Sequence, residues 1–211
     1  MAPDYIVIEG NIGAGKTSLA HMMKEDFKAH LILEQFEDNP FLPKFYTDPE
    51  KYSFPLELSF LASRYQQVKK ELQGKSGRPE LTIADYCISK SLVFAQVNLQ
   101  KDEFDLFLRL YNIIIKQITM PDLLVYLHVS TGKLMRQIEL RGREYEQSIR
   151  EDYLYRIQEA YFSFFKSLSD SKILIADITN IDFVEQPQDY RKLSAAIMSG
   201  TYPSGISRIV I

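Results

Sequence analysis

The stretch Gly10-Asn11-Ile12-Gly13-Ala14-Gly15-Lys16-Thr17 limits this chain more than any other. It meets the pattern G-x-x-x-x-G-K-[ST] at every constrained position. Tyr5-Ile6-Val7-Ile8 before it is apolar and β-branched, the pattern of a buried strand. Ser18-Leu19-Ala20 and Met22-Met23 after it continue as an apolar-rich helix. A chance glycine-rich turn would not bring both flanks. The glycines let backbone N–H groups turn inward around phosphate oxygens, and the helix start adds its positive dipole end. Lys16 is expected on the β- and γ-phosphates, and the Thr17 hydroxyl on Mg²⁺. The loop from Gly10 to Thr17, with Ser18, is thus the expected triphosphate cradle.

Such a loop serves switches, motors and small-molecule kinases alike, so the rest of the chain must decide. Its 211 residues suffice for one α/β domain with a real core. A net charge of −3 gives no basic footprint for nucleic acid. No apolar run is long enough to span a membrane. Asp4 and Glu9 flank a short strand where a signal peptide would be charged and then apolar. The lone Cys87 excludes an internal disulfide framework, and a cytoplasmic location is expected. Three histidines and one cysteine make no zinc site.

Short apolar runs alternate with helical patterns, which predicts a five-stranded parallel sheet flanked by helices. The strands are Tyr5–Glu9, Leu31–Leu33, Leu81–Ala84, Leu123–His128 and Lys172–Ala176. The helices are Lys16–Lys28, Pro40–Tyr46, Phe54–Gln73, Ser89–Leu99, Glu103–Ile118, Lys133–Arg141, Ile149–Ser167 and Pro187–Met198. Residues 74–79 read as an exposed loop. One domain is expected over residues 1–200. The tail 201–211 is either an added edge strand or an interface arm.

Ligands of such sheets bind beyond the carboxyl ends of the strands, where Glu34, Asp85 and Asp177 fall. A kinase acting on a hydroxyl needs a carboxylate at the acceptor and a metal site at the phosphates. Glu34 is the candidate base and Asp85 the candidate Mg²⁺ partner; the plainer reading makes both strand-end caps. Arg141 and Arg143 flank Gly142 at a helix end. They either clamp the transferring phosphoryl or complement the helix dipole.

With these residues in view, the chain resembles the deoxyribonucleoside kinases, most closely their bacterial purine branch. The resemblance runs from about Tyr5 to Met198. It rests on GNIGAGKT, Glu34, FYTDPEKYSF (45–54), ADY (84–86), RGREYE (141–146) and DITNIDF (177–183). It implies a P-loop kinase fold with a helical arginine-rich lid, ATP with Mg²⁺ as phosphate donor, and a homodimer built through long helices. It implies that Glu34 takes the proton of the 5′-hydroxyl. Tyr46 and Glu146 would hold the 3′-hydroxyl. Arg141 and Arg143 would close on ATP, with Arg141 and Phe183 near the donor adenine. Phe94 would stack on the acceptor base, and Phe36, Leu42 and Phe45 would wall its pocket. Taken without the resemblance, those phenylalanines read as core.

The sequence departs from the common pattern in four places. Asp85-Tyr86-Cys87 stands where many members carry an acidic-Arg-Ser motif. Glu57 replaces a base-reading glutamine, and Lys90 aligns with a base-edge aspartate. Gln137 stands where the first lid arginine is usual, with Arg136 one residue off. Guanine offers two adjacent donors, N1–H and N2–H, which a carboxylate accepts together. It also shows O6 and N7 to cations. Glu57 with Arg64 and Lys90 is therefore the expected guanine complement, and deoxyguanosine the expected acceptor. The simpler alternative is that Glu57 pairs with Arg64 or Lys90 and only shapes the pocket. Deoxyadenosine or a broad set of deoxynucleosides is the other acceptor reading.

Two other classes fit less well. A GTP-driven switch needs Asn-Lys-x-Asp after a later strand, and DITN (177–180) does not supply it. A nucleoside monophosphate kinase needs arginines for the acceptor phosphate. The segment from Glu34 to Arg64 instead offers Glu34, Glu37, Asp38, Tyr46 and Glu57, with Lys44, Lys51 and Arg64 as its cations.

Overall fold

The structure, a computed structural model, describes residues 3–35, 39–72, 81–199 and 201–211. Phe36, Glu37, Asp38 and the expected loop 74–79 lie outside the described residues. Six parallel strands form one sheet in the order β2-β3-β1-β4-β5-β6. They are β1 (Tyr5–Gly10), β2 (His30–Ile32), β3 (Thr82–Ala84), β4 (Leu123–His128), β5 (Lys172–Asp177) and β6 (Gly205–Val210). The helices are α1 (Lys16–Phe27), α2 (Leu42–Thr47), α3 (Pro49–Leu72), α4 (Lys90–Asn98), α5 (Lys101–Ile115), α6 (Thr131–Arg141), α7 (Glu151–Lys166) and α8 (Pro187–Ser199).

The expected parallel sheet is present, with six strands rather than five. The extra strand is the tail: β6 pairs with β5 from Lys172↔Gly205 to Asp177↔Val210. Its residues alternate between half-buried and exposed, so no continuous apolar run marks it. β1 lies between β3 and β4 and is buried along its whole length. Apolar side chains on both faces of the sheet make the core, as parallel strands covered by helices require.

Helix α3 begins at Pro49, five residues before the expected start, and passes through Pro55. Either proline can open a helix, because the missing N–H is an orphan in the first turn. The helix continues through Pro55 because Leu56 and Phe60 pack with Phe45 of α2. No helix among the described residues is long and apolar enough to cross a membrane.

Candidate active site

β1 delivers the chain into the glycine loop at its carboxyl end. Gly15 takes φ 82°, in the left-handed region that disfavours side chains, and α1 starts at the next residue. A Cβ at Gly15 would lie 2.9 Å from Phe183 Cζ, so that ring packs directly on the loop. Asn11 pins the loop from behind. Its Nδ2 donates to the Leu154 carbonyl at 2.7 Å, and its Oδ1 accepts from Ile12 N at 2.8 Å. Lys16 Nζ donates to the carbonyls of Gly10 (3.0 Å) and Asn11 (2.8 Å). Burial first, then Lys90, lowers Lys16 to about 8, which leaves it an ammonium at neutral pH.

Beside the loop, Thr17 Oγ1 donates to Asp85 Oδ2 at 2.5 Å, and Asp85 Oδ1 accepts from Glu34 N at 2.8 Å. Asp85 thus ties the ends of β2 and β3 to α1. One hydroxyl and one carboxylate suit Mg²⁺, which takes few protein oxygens and draws its remaining ligands from water and phosphate. No cluster of three or more acidic, histidine or cysteine side chains suited to a metal occurs among the described residues. Asp177 does not join them; it accepts from Thr179 N and shapes the turn after β5.

Glu34 is nearly buried and doubly paired. Arg64 donates to its Oε1 from Nε (2.8 Å) and Nη2 (2.6 Å), and Lys90 Nζ donates to its Oε2. Burial raises the Glu34 pKa, but Lys90 and Arg64 outweigh it and bring the carboxyl down to about 2. Arg64 Nη1 also donates to Ser91 Oγ, and its guanidinium lies over the Phe60 ring. Both cations expected at the guanine edge are therefore committed to Glu34. Neither forms an ion pair with Glu57.

Glu57 has a different environment. It is 1% exposed; Oε1 accepts from Asn98 Nδ2 at 2.7 Å, and Oε2 is buried with no hydrogen-bond partner. Burial pushes its carboxyl up to about 7, against the Asn98 hydrogen bond and the more distant Arg64 and Lys90.

The lid is the end of α6. Gly142 closes the helix at φ 69°, its N–H bonded to the Ile138 and Glu139 carbonyls. Arg141 and Arg143 on either side both reach buried Glu146, Arg143 at 3.3 Å. Gln137 lines the adjoining cleft, while Arg136 is exposed on another face of the helix.

Two cavities meet here. A cleft of about 880 Å³ runs from Gly13–Ser18 past Lys133, Gln137 and Phe183. A smaller cavity of about 140 Å³ is walled by Leu42, Phe45, Tyr46, Phe94 and Tyr153, with Glu57 and Glu146 in it. Gly13, Lys16, Thr17, Glu34, Asp85, Arg141 and Arg143 line both. The expected acceptor residues other than Phe36 are gathered around the smaller cavity. Ile12, expected on the triphosphate, lines the smaller cavity instead, and Gly10 and Asn11 line neither. Sequence reasoning missed Phe60, Asn98 and Tyr153. Phe60 was within reach: Glu57, Phe60 and Arg64 are spaced to share one face of α3. It also missed Lys133, whose Nζ donates to the carbonyls of Ile178 (3.1 Å), Thr179 (3.2 Å) and Ile181 (2.5 Å).

Known proteins are similar to this chain in sequence and fold. Residues 6–200 match the deoxynucleoside kinase family. A deoxyguanosine kinase of Bacillus subtilis is 35% identical over 199 residues, covering 92% of this chain and 95% of that protein. A deoxyadenosine kinase of Dictyostelium discoideum is 29% identical, over 96% of this chain and 83% of that one. The fold is that of a deoxyadenosine kinase from M. mycoides solved with bound dATP. Its TM-score is 0.76 at 24% identity, covering 90% of this chain and 99% of that one. By its match over residues 6–200 and its 35% identity to the Bacillus subtilis protein, the chain belongs to the deoxynucleoside kinase family.

Proposed function

We propose that the protein transfers the γ-phosphoryl of ATP to the 5′-hydroxyl of a purine deoxynucleoside, with deoxyguanosine preferred. The observation that carries this reading is the shared wall of the two cavities. A triphosphate in the larger and a nucleoside in the smaller would meet at Lys16, Glu34, Arg141 and Arg143. Positioning and charge neutralisation would then do most of the catalysis. Lys16 and the lid arginines face the charge of the transferring group. Ionised Glu34 accepts the hydrogen of the 5′-hydroxyl and orients its lone pair for attack. Its low pKa makes it a weak base for a ground-state alcohol, so it takes the proton late, as the P–O bond forms. Thr17 and Asp85 would hold Mg²⁺, which neutralises the phosphate oxygens when bound. Tyr46 and Glu146 meet the sugar, and Phe94 offers its ring to the base.

The preference for guanine rests on Glu57. Glu57 lines the smaller cavity and its Oε2 is buried without a partner, so an N–H donor brought to it would relieve the cost of burial. Arg64 and Lys90 contribute charge at a distance, because both pair with Glu34. Deoxyadenosine is the second reading, favoured by the elevated pKa of Glu57: a neutral carboxyl donates and accepts as an amide does. The assay is kcat/KM for deoxyguanosine, deoxyadenosine, deoxycytidine and thymidine with ATP. Deoxyguanosine should lead. A leading deoxyadenosine would remove the guanine argument, and no turnover on any would remove the kinase reading. The protein is further read as a cytoplasmic homodimer. Leu106 and Ile113 of α5 and Leu58 of α3 are exposed apolar side chains that a second subunit would cover. A sedimenting monomer at micromolar concentration would oppose that assembly.

A further inference from the structure

Asn98 is the last residue of α4, and nothing in the sequence pattern marks it. Its amide donates to Glu57 on α3 at 2.7 Å, and Asn98 lines the acceptor cavity together with Tyr153 of α7. A carboxylate only accepts, so the Asn98 nitrogen faces Glu57. One lone pair of Oε1 is thereby occupied, while Oε2 is buried with no partner, and Glu57 lines the cavity. We infer that Asn98 is a specificity-determining positioning residue: by holding Oε1 it directs the Glu57 proton to Oε2, and that proton sets which purine the site accepts. The inference rests on the reading of Glu57 as the residue that meets the base.

The chemistry follows from the two forms of the carboxyl. Ionised, Glu57 offers two acceptors to the N1–H and N2–H of guanine. Neutral, its proton must lie on Oε2, because the Asn98 N–H already occupies Oε1. It then donates to adenine N1 while Oε1 accepts from N6–H. Each form leaves an unpaired buried group against the other purine, which costs affinity. Without Asn98 the carboxyl could rotate and place its proton on either oxygen, and the ionised form would lose a donor.

The groups facing Glu57 leave it as the one that titrates near neutrality. Arg64 of α3 and Lys90 of α4 are paired with Glu34, which stays ionised far below neutral pH. Glu34 comes from the connection after β2, and Tyr153 comes from α7 with a phenol pushed well above its usual range. Burial, reinforced by the Glu34 charge, outweighs the Asn98 hydrogen bond and the charges of Arg64 and Lys90 and brings Glu57 to about 7.

The test is kcat/KM for deoxyguanosine and deoxyadenosine from about pH 5.5 to 8.5, in the wild type, Asn98→Ala, Asn98→Ser and Glu57→Gln. The wild-type ratio of deoxyguanosine to deoxyadenosine should rise with pH. Asn98→Ala should lower the ratio about tenfold at the alkaline end and move its midpoint upward. Asn98→Ser, which keeps a hydroxyl donor, should recover part of both, and it stands in if the alanine variant does not fold. Glu57→Gln should give a ratio independent of pH. If Glu57→Gln flattens the profile while both Asn98 variants keep the wild-type ratio and midpoint, Asn98 is overturned and the base reading survives. If Glu57→Gln leaves the profile unchanged, both ideas fall.

Discussion

Arg64 points two of its three donating nitrogens, Nε and Nη2, at Glu34, thirty residues away in sequence, and none at Glu57 two turns earlier on its own helix. The buried charge of the acceptor cavity is thereby divided. Glu34 holds both cations, and Glu57 holds an amide. Two carboxyls of the same type consequently sit at opposite ends of the titration range, which separates the chemical role from the recognition role.

Replacing Glu34 tests the first half of that division. Glu34→Ala would leave Arg64 and Lys90 buried without a partner, at a cost of about 3–5 kcal/mol. Glu34→Gln is the cleaner variant, since it keeps the shape and one acceptor. It should bind ATP nearly as the wild type does but lose about 10²- to 10⁴-fold in kcat. Near-normal turnover would take Glu34 out of the reaction. Stability should respond at low pH. The Glu34 pKa lies below its ordinary value, so its contribution is present above about 4.5 and lost as pH falls through about 2. The Tm values of the wild type and Glu34→Gln should differ above about pH 4.5 and converge as pH falls toward about 2.

Glu57 has the opposite sign. Its folded pKa is raised, so native protein holds a proton that the unfolded chain has released between about 4.5 and 7. Stability therefore falls as pH rises through that window. Glu57→Gln removes the titration and should raise Tm above pH 7, with the gain vanishing toward pH 4.5. Equal Tm values across the range would mean that Glu57 is not buried as a strained carboxyl.

The sugar end of the cavity makes a separate prediction. Glu146 is fixed by Arg141 and Arg143, and the Tyr46 ring stacks on Tyr145 with centroids 5.9 Å apart. Tyr46→Phe should raise KM for the deoxynucleoside roughly three- to tenfold through loss of one hydrogen bond. A substrate lacking the 3′-hydroxyl should show no such rise. If both substrates weaken equally, the phenol only supports the wall.

Much of this was legible in the residues. The glycine loop carries a fixed spacing, and β1, β4 and β5 are apolar runs that no other element explains. Glu34 and Asp85 follow strands, so their place at the carboxyl edge came from the strand assignments. The partner of Arg64 was not legible, because Glu34 and Glu57 are both acidic and only the packing of α3 chooses between them. Asn98 gave no signal, since one amide near a helix end has many ordinary uses. The strand β6 was hidden by its alternation and by a place at the sheet edge, where one side needs no apolar cover.

Lys133 joins the lid helix to the donor side. Its ammonium sits among three carbonyls of residues 178–181, two to five residues before the Phe183 ring that packs on Gly15. That geometry makes it a positioning residue for the segment expected to meet the donor base. Lys133→Met keeps the length of the side chain but removes all three donors. The segment should loosen, and KM for ATP should rise about tenfold, the scale of charged hydrogen bonds lost from one site. At saturating ATP, kcat should remain near the wild-type value, because Lys16, Glu34 and the lid arginines are untouched. KM for the deoxynucleoside should also hold, since Lys133 does not line the acceptor cavity. Steady-state kinetics with each substrate varied in turn separate these terms. If both KM values and kcat shift together, Lys133 supports α6 as a whole and has no selective hold on the donor segment.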